Sequence, residues 1–193
     1  MPGLPRTFFA RSTPEVARDL LGRHLVRGDL AGRIVETEAY LGPEDSASHA
    51  RSGETRRNSV MFGEVGHAYV YFTYGIHWML NVTAHRNQVA GAVLLRAVEP
   101  LHGIETMRER RGGRRDSELT NGPAKLCQAF GITGGLNGVD LCDSDGPLFI
   151  AAGETVMPGD VQSGPRVGVD YAGTPWRDRP MRFWIGGNPF ISR

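Results

Sequence analysis

Short apolar stripes alternate along the chain with turn residues. Ser12-Thr13-Pro14-Glu15 opens a predicted helix. Ser12 with Glu15 fits a capping box, and Thr13 with Pro14 at the first helical position fits equally well. Val16, Leu20 and Leu21 give that helix one apolar face, and Gly22 ends it. From His24 the period falls to two. Leu25-Val26 leads to a turn at Gly28-Asp29 or Ala31-Gly32, and a strand is predicted over 33–41. Its odd positions, Val35, Thr37, Ala39 and Leu41, are core candidates, while Glu36, Glu38 and Tyr40 share the other face. Residues 42–66 are polar and rich in Gly, Ser and Arg, which predicts a functional loop rather than a plain connector. Residues 68–82 read as a protruding hairpin whose aromatic arms flank Thr73-Tyr74-Gly75-Ile76. A strand over 92–98 is apolar apart from Arg96. Helices are predicted over 104–111 and 123–130, and short strands over 166–169 and 181–185. The pattern is α+β: an antiparallel sheet flanked by helices, in a single domain over 1–193, with residues 1–5 as a loose tail.

Composition narrows the class. A length of 193 residues suits one core. Gly 26 and Pro 12 suit a turn-rich sheet protein and stay below the level of low-complexity chains. No run of 18 apolar residues could span a membrane, and Met1–Arg6 lacks the apolar segment of a signal peptide, so a cytosolic location is expected. The net charge of +1 names no partner. Of the 22 basic residues only Lys125 is a lysine. Arginine forks suit phosphates, although a genome rich in G and C produces the same bias. Cys127 and Cys142 cannot form a disulfide framework, His67, His77 and His85 make no recognisable metal pattern, and no phosphate-cradling glycine motif occurs, so no nucleotide cofactor is indicated.

Four groups could carry chemistry. Glu36 and Glu38, two apart on a strand, point the same way and could divide acid and base roles, or form a solvated strand face. Tyr40 and His49 lie close by in sequence. Arg96, inside an apolar strand, needs a partner charge if buried, most naturally a carboxylate on a neighbouring strand; otherwise its head escapes from an edge. Tyr74 sits at a turn apex, badly placed for a core and well placed to wedge into a base stack. Tyr71 offers a flat face to a planar ligand. Arg56-Arg57 and the five arginines between 108 and 115 could meet phosphates, though acidic residues interleave with the second cluster.

The run Gly-Arg-Ile-Val-Glu-Thr-Glu-Ala-Tyr-Leu-Gly-Pro-Glu-Asp at 32–45, with His49, closely resembles the alkyladenine (3-methyladenine) DNA glycosylase family. The likeness continues through Arg57-Asn58, Met61-Phe62, Tyr69-Val70-Tyr71, Tyr74-Gly75, Asn81, the run 94–101, the run 122–128, Arg166-Val167-Gly168-Val169 and Pro180-Met181-Arg182-Phe183. It implies a mixed domain with a curved antiparallel sheet, no cofactor, and duplex DNA with damaged purines as the partner of a monomeric enzyme. By resemblance, Glu38 is the base that activates water, and Arg96, with the backbone carbonyl of Val167, holds that water. Tyr40, His49, Tyr71 and Asn81 form the pocket for a flipped base, and Tyr74, with Met61, intercalates in the DNA. Glu36 receives no role. The polar run His85-Arg86-Asn87-Gln88 separates Asn81 from Arg96. The chain stops at Arg193 without the extended tails of eukaryotic members, a departure from the family pattern; the bacterial cytosol or nucleoid is the expected location. With no Lys placed to attack the sugar, a monofunctional enzyme is expected. A non-catalytic lesion-binding module and a nucleoside hydrolase using Glu36 and Glu38 are the rival readings.

Overall fold

The computed structural model describes residues 1–86 and 89–192; Asn87, Gln88 and Arg193 lie outside the described residues. The first helix, α1 (Arg6–Phe9), is a single turn, and α2 (Thr13–Asp19) follows it. Ser12 caps α2: its hydroxyl bonds Glu15, and the Glu15 carboxylate accepts the Ser12 N–H at 3.1 Å, a capping box. Two more helices, α3 (Ile104–Arg110) and α4 (Pro123–Phe130), lie where the pattern placed them, with Pro123 at the first turn of α4 and Gly131 closing it at φ 67°.

Among the described residues eight strands form one antiparallel sheet. They are β1 (His24–Arg27), β2 (Leu30–Tyr40), β3 (Ala68–Thr73), β4 (His77–Thr83), β5 (Ala92–His102), β6 (Phe149–Ala151), β7 (Val161–Gly164) and β8 (Arg182–Ile185). The order is β3-β4-β5-β2-β1-β6; β8 pairs with Glu36–Glu38 of β2, and β7 pairs with β8. One face of the sheet meets the helices. There Phe9, Leu20, Leu25, Ile34, Leu95 and Phe130 pack as one cluster, each without exposed surface. Fully burying such a side chain stabilises the fold by about 1.5–3 kcal/mol. No helix among the described residues is long and apolar enough to cross a membrane.

Two bulges set the orientation of the central strands. Between β2 and β5 the pairing runs Ile34↔Val98, Glu36↔Ala97, Thr37↔Leu95, leaving Val35 and Arg96 as extra residues. Each bulge shifts the alternation by one. Ile34 and Val98 therefore face the helical core before the bulges, and Ala39 and Leu95 face it after them. Glu36, Glu38 and Arg96 are turned to the opposite face.

Two expectations need correction. Residues 1–5 are not a loose tail: Leu4 is buried, its N–H donates to the Ile150 carbonyl at 2.8 Å, and Gly3 bridges Ala151. β6 would otherwise present an open edge, and the N-terminus covers it. Residues 166–169 are not a strand, because Arg166 is drawn inward and Gly168 takes φ 73°; the strand of this region is β7, five residues earlier. β6 was not anticipated at all.

Candidate active site

The polar face of the sheet carries a cavity of about 340 Å³. It is walled by β3, β4 and β5, by the 42–66 loop, and by the segment 165–179. The alternation of the strands accounts for the lining. Tyr69, Tyr71 and Thr73 of β3, Met79 and Asn81 of β4, and Ala92, Leu94 and Arg96 of β5 all point into it. The residues between them, such as Val70, Leu80 and Leu95, point into the core.

Glu36 and Glu38 are wholly buried, so the solvated-face reading of this strand does not hold. Arg96 lies between them. Its Nε donates to Glu36 at 2.8 Å and its Nη1 pairs with Glu38 at 3.1 Å, which satisfies the demand for a partner charge. Burial alone would lower the pKa of Arg96; Glu38 and Glu36 outweigh it and raise the pKa. Glu38 also accepts the Val167 N–H at 2.7 Å and the Tyr40 hydroxyl at 2.9 Å. It is the Val167 amide, not its carbonyl, that reaches the carboxylate. Burial, then the charge of Glu38, push the Tyr40 hydroxyl far above the usual phenol range, so Tyr40 is a fixed donor to Glu38. Glu38 is not itself part of the cavity wall, but Tyr40, Arg96 and Val167, which hold it, all are.

The aromatic residues meet around the same space. His49 follows Ser48, whose side chain accepts the Ala50 N–H and starts a short 3₁₀ turn. The His49 ring lies edge-on to Tyr71, 4.6 Å between centroids, and its Nδ1 shares a hydrogen bond of 2.9 Å with the Tyr69 hydroxyl. Partial desolvation, then Arg57 and Arg51, lower the pKa of His49 and keep the imidazole neutral at neutral pH. Asn81, buried, donates to the Tyr69 carbonyl at 3.0 Å. At the rim, Tyr74 is 87% exposed. It stands in a tight turn with φ 52°, beside Gly75 at φ 70°, where the Ile76 N–H returns to the Thr73 carbonyl at 3.1 Å.

Met61 is the exception among the expected site residues. It is 1% exposed and packed with Ala50, Tyr69, Ala90 and Ala92, so it belongs to the cavity wall. Leaving that packing to enter DNA would sacrifice its burial, so Met61 is not placed to intercalate, contrary to expectation.

Two features escaped the sequence reading. Tyr171 also lines the cavity, its hydroxyl donating to the Ala47 carbonyl at 3.1 Å. Arg166 and Asp45 form a wholly buried two-pronged ion pair at 2.6 and 2.9 Å. Asp45 also accepts the N–H groups of Leu41 and Ala47, while Arg166 donates to the Ala39 carbonyl and stacks 4.7 Å from the Tyr40 ring. This one pair ties together the end of β2, the loop that carries His49 and the residue before Val167. Both partners stand inside quoted motifs, but no local pattern links positions so far apart.

The family model of methylpurine-DNA glycosylase matches residues 7–189. A protein of Methanocella arvoryzae, named "Putative 3-methyladenine DNA glycosylase", is 49% identical over 198 residues, covering 100% of this chain and 97% of its own. Proteins with the same name from Burkholderia cenocepacia and Carboxydothermus hydrogenoformans are 46% and 47% identical; each alignment covers 98% of this chain, and 90% and 98% of the relative.

Proposed function

Because the chain belongs to the methylpurine-DNA glycosylase family, we propose that it removes damaged purines, alkylated or deaminated, from duplex DNA by hydrolysing the bond between base and deoxyribose. The observation that carries this reading is the convergence of Glu38 and Arg96 beneath an aromatic cavity with Tyr74 exposed at its rim.

The glycosidic carbon is shielded within the stack, so the nucleotide must first leave the duplex. Unstacking costs a few kcal/mol and least for damaged or mispaired bases, which already selects lesions. Tyr74 fills the vacated space and offsets that cost. The purine enters the cavity among Tyr40, His49 and Tyr71, where Asn81 on the wall disfavours the exocyclic amine of guanine. Oε2 of Glu38 accepts one hydrogen bond, from Tyr40, and its second lone pair takes the proton of the attacking water. Arg96 and the Val167 N–H both engage Oε1 and fix the carboxylate; in this reading Arg96 and the Val167 backbone also hold the water. As the base departs, the negative charge of Glu38 also favours the oxocarbenium-like sugar. The product is an abasic site with an uncut strand. The acting unit in this reading is a monomer.

Four duplexes, carrying 3-methyladenine, 7-methylguanine, hypoxanthine or ethenoadenine, test the reading by release of free base. Glu38→Gln should slow single-turnover excision by about 10²–10⁴-fold while keeping lesion binding. Normal rates in that variant would remove Glu38 as the base. Binding without release of any base would favour a lesion-recognition module.

A further inference from the structure

Glu36 is a buried carboxylate to which the reaction above gives no task. Its side chain has no exposed surface and takes no part in the cavity wall. Its Oε1 accepts from Arg96 Nε at 2.8 Å, Arg182 Nε at 2.8 Å and the Ser192 hydroxyl at 2.7 Å; its Oε2 accepts the Ser192 N–H at 2.5 Å. Arg96 completes the circuit by donating from Nη2 to the Ser192 hydroxyl at 3.1 Å. Each guanidinium nitrogen of Arg96 is thus committed: Nε to Glu36, Nη1 to Glu38, Nη2 to Ser192. A buried ion cluster of this kind is weak as a stabilising device, since apolar packing of the same volume serves as well. What it supplies is a fixed fork and a set distribution of charge.

We propose that Glu36, with Ser192, is a positioning group for the base: it orients Arg96 so that Nη1 meets Glu38, and it takes a share of the positive charge that would otherwise fall on Glu38 alone. This rests on the reading of Glu38 as the base. The groups facing Glu38 are Arg96 from β5, Tyr40 from its own strand, Tyr71 from β3, and Arg166 with the Val167 N–H from the 165–179 segment. Arg182 of β8 stands one step behind, held by Glu36. With Glu36 neutral, the charges of Arg96 and Arg182 lose their opposing carboxylate. Both then act on Glu38, stabilise its anion and make it a poorer proton acceptor.

The test is the pH profile of single-turnover excision on whichever of the four lesion duplexes is cut fastest, with duplex affinity and melting temperature measured in parallel. Glu36→Gln should lower the plateau rate by about 10- to 100-fold, a loss typical of a reacting group misplaced by about an ångström. It should move the acid limb to lower pH by about one unit, as loss of a nearby like charge does, and leave affinity within about threefold. Glu36→Asp keeps the charge and should lose rate without moving the limb. Ser192→Ala should slow excision by about three- to tenfold, also with the limb in place. An unchanged rate and limb in Glu36→Gln, or a rate loss matched by an equal loss of affinity, would overturn the proposal. If Glu36→Gln does not fold, Ser192→Ala decides, and a wild-type rate there overturns it. Glu38→Gln, run alongside, separates the two ideas: if it is inactive while Glu36→Gln is normal, only the positioning role fails; if it is active, the base assignment fails as well.

Discussion

Tyr74 pays a conformational cost to be where it is. A non-glycine residue in the left-handed region is strained by about 1–3 kcal/mol, and here its ring gains no burial in return. The turn holds it there through the Thr73–Ile76 hydrogen bond and the freedom of Gly75. A ring held outward at the cavity rim suits insertion. Tyr74→Ala should therefore weaken binding to a lesion duplex by about tenfold, one stacking contact's worth, and leave the melting temperature unchanged or slightly raised. Equal binding by the two proteins in a fluorescence titration would deny Tyr74 that role. Individual residues were also the most legible level of the sequence. A turn signal placed Tyr74 at an apex, and an arginine amid apolar neighbours left two readings, a carboxylate across the sheet or an exit at an edge, of which the structure forms the first. Met61 shows the limit, because a motif names a residue without saying whether it faces inward or outward.

Segments are tied together less by their own periodicity than by Arg166 and Asp45. Removing one partner of a wholly buried pair strands the other charge. Asp45→Ala should cost about 3–5 kcal/mol of stability in denaturant unfolding and should also slow excision, because Tyr40 and Val167 lose their common anchor. A loss under 1 kcal/mol would mean that the pair is dispensable. This level was only partly readable in advance. Helices α2, α3 and α4 and the β3–β4 hairpin announced themselves through caps, glycines and alternation. The bulges at Val35 and Arg96 did not, since an extra residue is visible only once the partner strand is known. The 165–179 segment had no period to read, because tertiary contacts shape it.

At the scale of the molecule, the position of its amines bears on the chemistry. The single lysine, Lys125 of α4, donates to Asn121 and lines a separate groove beside Trp78. Neither Lys125 nor Met1 borders the cavity. Among the described residues no amine borders the cavity, so on the hydrolytic reading proposed above borohydride added during turnover should trap no covalent protein–DNA adduct, and a shifted band on a denaturing gel would refute that reading. The α+β architecture could be anticipated because strands outnumbered helices without regular alternation. The fastening of residues 1–5 could not, because the edge they cover is built from residues about 150 positions away.

The paired bulges have a consequence for how this chain can vary. Upstream of Val35 one parity of β2 is packed in hydrocarbon; downstream that parity carries the acids. Flattening the bulge with the chain length unchanged would restore strict alternation and send two carboxylates into the greasy side of the sheet. Point changes along β2 are felt one position at a time, whereas closing the bulge would turn every residue beyond it to the wrong side at once, so the unpaired position governs more of the site than most of the letters around it.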